Sequence, residues 1–213
     1  MSAEKVYVVG VGPGAEDYLM PLARRRIEEA DILVGSARLI GLFPGKESRD
    51  LDLRGDPPGT IRFILESRRG KKLAVLVSGD PGLYSFLGVL ARYLRPEEYE
   101  VIPGISSVQL AFARLGESWE NAFIRSVHGR GLEGLIEAVK EHSKVALLTD
   151  GHLSPRDIAT YLLEGGVSDR ELVVCRNLSY PDESITRTDL QGASSLAAAE
   201  GLYTIIIEEK RAC

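Results

Sequence analysis

Apolar positions fall along this chain in two rhythms. Short, largely apolar runs occupy residues 6–9, 32–34, 73–77, 100–102, 145–148, 172–175 and 203–207. Runs of this length, rich in Val, Ile and Leu, predict strands buried on both faces. Between them, apolar residues recur three and four apart, the period of a helix with one buried side. Residues 21–30 turn Leu22 and Ile27 inward and Arg24, Arg25 and Arg26 outward. Residues 60–69 group Ile61, Ile64 and Leu65, with Thr60 as the expected N-cap. Residues 83–94 are strongly apolar, and 106–115 are small and apolar. Residues 132–142 face inward through Leu135, Ile136 and Val139. Residues 155–163 follow Ser154, a good N-cap, and open on Pro155, which suits the first helical position. Strands alternating with helices predict an α/β fold with a largely parallel sheet covered on both faces.

The character of the chain changes near residue 104. Glycine-rich turns precede that point. A second α/β series follows it, with a polar segment at 179–188 and a terminal strand. The expected organisation is two α/β domains, 1–104 and 105–213, with one continuous sheet as the alternative. A chain of 213 residues can fill one large domain or two small ones.

Composition narrows the function classes. The net charge is −5, which weighs against nucleic acid as a partner. The apolar runs are too short to span a bilayer, and the N-terminus reads directly into a strand with no signal peptide. The two cysteines, Cys175 and Cys213, form no ligand spacing and no disulfide framework. A reducing, cytoplasmic setting is therefore expected. His142 and His152 have no ligand spacing with His128, so no metal site is expected.

Three turns carry the candidate chemistry. The first strand runs into Gly10, Val11, Gly12, Pro13 and Gly14. The third glycine comes one residue too early for a dinucleotide fingerprint, and Pro13 removes an N–H from the turn. Gly35, where that fingerprint needs an acid at the end of the second strand, also counts against a dehydrogenase. The second turn, Ser78, Gly79, Asp80, Pro81 and Gly82, follows the strand at 73–77. Its glycines permit close backbone approach, and Asp80 can accept from a hydroxyl or an ammonium. The third, Pro103, Gly104, Ile105, Ser106 and Ser107, follows a strand and opens a helix that either serine can cap. In an open α/β sheet, turns beyond the carboxyl ends of strands form the ligand crevice. Taken alone, the second turn is better read as an ordinary turn, and the serines of the third as a helix cap, a reading compatible with ligand binding.

In this order and spacing the three turns resemble the tetrapyrrole methylases. The segment Ala30, Asp31, Ile32, Leu33, Val34, Gly35 is similar to the one after that family's first helix. The resemblance runs over essentially the whole chain. It implies S-adenosylmethionine as methyl donor and two α/β domains with the cofactor in the cleft between them, usually in a homodimer. By the same resemblance Pro13, Ser78, Gly79, Asp80, Ser106 and Ser107 line the donor site, completed by Thr149, Asp150, Asn177 and Leu178. Asp150 stands before Gly151 where relatives carry a hydrophobic residue.

Residues 126–130 and 177–183 resemble the branch of the family that methylates carbon 5 of a precorrin or cobalt-precorrin during cobalamin synthesis. That activity also forms one half of a fused C5,15 enzyme. The chain stops at Cys213, so a separate C15-methylating and decarboxylating polypeptide is the expected partner. A tetrapyrrole substrate bears several carboxylates, which call for cations. Arg125, His128 and Arg130 are the candidates, and a solvated turn is the competing reading. His128 is also the candidate general base, since imidazole titrates near working pH. Tyr84 can stack on a ligand or serve as a core aromatic. Two other functions share these features. One is a same-fold methylase acting on RNA or a diphthamide intermediate, and the other a non-catalytic cofactor-binding module.

Overall fold

A computed structural model describes residues 4–50, 56–127, 129, 131–149, 153–196 and 201–210. The chain divides into two compact units, Met1–Ser106 and Ser107–Cys213.

The first unit holds β1 (Val6–Gly10), α1 (Pro21–Glu29), β2 (Ile32–Gly35), α2 (Ala37–Ile40), β3 (Glu47–Asp50), α3 (Pro57–Ser67), β4 (Leu73–Val77), α4 (Leu87–Leu90) and β5 (Tyr99–Ile102). Its sheet has the order β3-β2-β4-β1-β5, and every pairing is parallel. Alternate strand residues feed different cores. Val6, Val8, Leu73, Val75 and Val77 pack with Ile61 and Ile64 of α3. Val9, Ala74 and Leu76 pack with Ala23 and Ile27 of α1. A strand buried on both sides has no polar position to spare, which explains the unbroken apolar runs.

The second unit holds α5 (Ser107–Leu115), β6 (Phe123–Ser126), α6 (Leu135–Glu141), β7 (Lys144–Leu148), α7 (Pro155–Glu164), β8 (Arg170–Arg176), β9 (Ser184–Asp189), α8 (Leu190–Ser194) and β10 (Tyr203–Glu209). Its sheet runs β6-β7-β10-β8-β9. Val145, Leu147, Leu172, Val174, Ile205 and Ile207 meet residues of α6, α7 and α8 on one face. The other face receives α5, whose Phe112 lies under the Lys144 ammonium at 5.3 Å.

This second sheet departs from the expected parallel arrangement. Only β6 and β7 pair in parallel, whereas β10 runs antiparallel to β7 and β8, and β8 to β9. The cause is local. Asn177 and Ser179 take left-handed backbone, with φ of 48° and 74°, and turn the chain back without a helical crossover. The returning strand β9 is exposed along most of its length, so its polar sequence hid it from an apolar search.

Three helix expectations are also corrected. The N-cap of α3 is Asp56, whose carboxylate accepts from Gly59 N at 2.9 Å, while Thr60 is buried inside the helix. The run at 83–94 keeps only the short α4, because Tyr84 stands at φ 49° and cannot extend a helix. Residues 132–142 become helical only from Leu135, since Gly131 and Gly134 have φ of 68° and 72°.

Candidate functional site

In the first unit the three glycine-rich turns meet. Each follows the carboxyl end of a parallel strand, β1, β4 and β5, and these strands are neighbours in the sheet. Gly79 N donates to Gly12 O at 2.9 Å, joining the first two turns. A Cβ on Gly104 would lie 2.3 Å from Gly79 O and 2.8 Å from Gly10 C. A Cβ on Gly10 would lie 2.6 Å from Gly79 O and 2.7 Å from Gly104 N. Backbone therefore meets backbone at a spacing that no side chain permits. Gly12 and Gly79 add φ of 76° and 67°, which glycine adopts without strain.

Asp80 ties two of these turns together. Its Oδ1 accepts from Gly82 N at 2.7 Å, and its Oδ2 accepts from Gly104 N at 3.1 Å. The carboxylate thus satisfies two backbone donors at the strand ends. Pro13, Gly79 and Ser106 are buried beside this junction, while Ser78 is exposed. Tyr84 follows with an exposed ring on strained backbone, 46% accessible. A bulky non-glycine residue in this region costs on the order of 1 kcal/mol and marks a position worth functional attention. The cluster suits a small ligand with polar groups. Strand-end backbone and Ser106, whose Cα would lie 3.4 Å from a Cβ on Gly79, surround these glycines.

In the second unit the remaining described candidates gather at one end of the sheet. Thr149 follows β7, and its hydroxyl donates to Tyr203 O at 3.0 Å. Ser107 opens α5 and shares a hydrogen bond with the Thr204 hydroxyl at 2.9 Å. Asn177 follows β8, its Nδ2 donating to Asp182 Oδ2 at 2.7 Å and its Oδ1 accepting from Leu202 N at 2.8 Å. Leu178 beside it is buried. Glu183 completes this loop, taking Arg114 Nε at 2.6 Å and Ser179 N at 2.6 Å. The Arg114 guanidinium holds the Glu183 carboxyl below the usual range, aided by the Ser179 N–H and opposed by burial. Thr204 was not anticipated. Its signal was an aliphatic hydroxyl next to the three consecutive isoleucines of the terminal strand.

Arg125 sits on β6, and its guanidinium donates to the carbonyl of Glu133. It braces its own loop, and a Cβ on Gly134 would crowd it at 3.2 Å. His128, Arg130 and Asp150 lie outside the described residues. Burial pushes the Cys175 thiol up to about 12, so it holds its proton at neutral pH and is no nucleophile. His142 stacks on Phe123 at 4.5 Å. No group of three or more metal-ligating side chains occurs among the described residues. No helix of the described residues is long and apolar enough to cross a membrane.

A parallel sheet with converging glycine turns at its strand ends, followed by a mixed second sheet, places the molecule among α/β enzymes that bind a small ligand at strand termini. Residues 5–194 match the family model of the tetrapyrrole (corrin/porphyrin) methylases, and the chain belongs to that family. A probable cobalt-precorrin-7 C(5)-methyltransferase of Methanocaldococcus jannaschii is 34% identical over 192 residues, covering 87% of this chain and 90% of the relative. The cobalt-precorrin-7 C(5)-methyltransferase of Salmonella typhimurium is 35% identical over 178 residues, covering 84% and 87%. Among solved structures, the precorrin-6Y methylase of Archaeoglobus fulgidus superposes with a TM-score of 0.72 at 26% identity, covering 97% of this chain and 99% of that one.

Proposed function

We propose that the protein transfers a methyl group from S-adenosylmethionine to carbon 5 of a precorrin or cobalt-precorrin macrocycle, as a cytoplasmic homodimer serving cobalamin synthesis. The observation that carries this reading is the length of the likeness to the two C(5)-methyltransferases, over 87% and 84% of this chain, within a family match at residues 5–194 that takes in all three glycine turns. When bound, the donor supplies a methyl group already activated on a sulfonium. The protein's share is then position and exclusion of water.

In this reading Pro13, Ser78, Gly79, Asp80 and Ser106 hold the donor, with Ser107, Thr149, Asp150, Asn177 and Leu178 assigned to the same task. Asp80 acts by holding the Gly82 and Gly104 amides, which sets the shape of the floor. Arg130 and His128 are assigned to the substrate carboxylates, and Arg125 to the loop that carries them. Tyr84 is assigned to a flat ligand face. His128 accepts the proton that the methylated carbon gives up.

The test is transfer. The protein is incubated with methyl-labelled S-adenosylmethionine and a precorrin-rich extract, with and without cobalt. Label is expected in a coloured corrinoid carrying one additional methyl group. Donor binding without transfer to any corrinoid overturns the assignment.

A further inference from the structure

The second unit contains a hollow none of whose lining residues has been given a role in the proposed reaction. Its walls are Ser154 and Arg156 at the start of α7, Arg176 at the end of β8, and Ser184 and Thr186 on β9. Its apolar floor is Pro155, Val174, Leu196 and Tyr203, which continues into the core beneath α7 and α8. The sheet register explains the assembly. Val174 pairs with Thr186, and Arg176 pairs with both Ser184 and Tyr203, so these residues share one face. The volume is about 150 Å³, several times the ~10–15 Å³ that a single water requires. A lone ion would leave most of it empty.

The charges around it are uneven. Arg176 faces Asp182 at 3.6 Å, but that carboxylate oxygen is also held by Asn177. Asp157 is turned to the backbone N–H and hydroxyl of Ser154. Arg156 is exposed and makes no direct hydrogen bond or ion pair among the described residues, although its charge helps the Ser154 hydrogen bonds hold the neighbouring Asp157 carboxyl below its usual range. Two arginines, the hydroxyl-bearing Ser184 and Thr186 and an apolar floor lining one hollow match an acid group at the end of a short hydrocarbon stem.

We propose that this hollow binds a carboxylate carried on a short apolar stem. Such a group can be an acetate or propionate arm of the macrocycle, or a free short-chain acid. The first source rests on the reading under Proposed function, and the hollow itself does not.

The test compares wild type, Arg156→Gln, Arg156→Lys and Arg92→Gln, an exposed control in the first unit. Uroporphyrin, a polycarboxylate tetrapyrrole, is titrated by fluorescence, and glutarate and S-adenosylhomocysteine by calorimetry. Arg156→Gln is expected to weaken uroporphyrin about tenfold, the loss of one charge-assisted contact. Arg156→Lys should fall between it and wild type, with Arg92→Gln and all S-adenosylhomocysteine affinities unchanged. Equal uroporphyrin and glutarate affinities in wild type and Arg156→Gln overturn the site. So does an equal loss in Arg92→Gln, which indicates unspecific attraction. A loss confined to glutarate keeps the hollow and removes the macrocycle as its occupant. If wild type methylates no corrinoid while Arg156→Gln still weakens uroporphyrin, the proposed function falls and the hollow stands. If methylation proceeds with the same KM in Arg156→Gln and neither uroporphyrin nor glutarate is weakened, the reverse holds.

Discussion

In Met1–Ser106 the strand-end turns are held by backbone meeting backbone, at Gly10, Gly79 and Gly104. In Ser107–Cys213 the corresponding turns are held by side chains: Asn177, Glu183, Arg114, Thr149 and Arg125. The sheets differ in the same sense. The first buries every residue of β2 and β4. The second carries an ionic network on its α5 face, where Arg187 reaches Glu117 at 3.1 Å and Glu171 at 3.4 Å and also pairs with Glu208. Lys144 joins Glu117 at 2.7 Å and Glu208 at 3.7 Å. Backbone packing tolerates no added atom. Side-chain bracing gives way one contact at a time and responds to salt and pH.

The sharpest way to break that contrast is Gly104→Ala. The new methyl group has no space against Gly79 O, and backbone cannot swing aside as a side chain can. A loss of about 3 kcal/mol is expected in urea unfolding, together with loss of S-adenosylhomocysteine binding. A near-wild-type midpoint would show that the three turns are not so tightly joined. Asp80→Ala comes next. It leaves the Gly82 and Gly104 amides without their partner and should cost roughly 1–3 kcal/mol, with weaker donor binding by calorimetry. Asp80→Asn keeps one accepting oxygen and should recover part of both losses.

Glu183→Gln probes the side-chain region and should cost less, roughly 0.5–1 kcal/mol. Its pH dependence follows from sign. The folded carboxyl titrates below the ordinary 4.5, so its contribution is complete above that pH and is lost as pH falls through the folded value. The stability difference between wild type and Glu183→Gln should stay level from neutral pH down to about 5 and shrink in more acid solution. Opposite in sign, and no larger than the Glu183→Gln effect, Tyr84→Gly removes a strained side chain and should raise stability by about 0.5 kcal/mol. An accompanying rise in KM for the macrocycle would show the strain serving substrate, while an unchanged KM would assign the ring no role.

The buried strands were legible because a strand covered on both faces leaves an unbroken apolar trace. The strands that escaped notice, β3, β6 and β9, lie at sheet edges, where one side meets water and polar residues are tolerated. The glycine turns could be found as motifs, since each follows an apolar run. Their convergence could not be read locally, because Gly10, Gly79 and Gly104 are remote in the chain and meet only through the strand order β4-β1-β5. Asp80 shows the same limit. Its residue type suggested a ligand contact, while the structure gives both carboxylate oxygens to backbone amides.

From residue order alone came the alternation of strands and helices, the three turns and the family that their spacing resembles, all set by local periodicity and turn chemistry. Tertiary structure alone decided that the second sheet is mixed, which glycines touch, and that Arg125 and Asp80 brace loops. Those outcomes depend on which distant segments pair, and pairing is settled by the burial and hydrogen bonding of the whole unit rather than by any stretch within it.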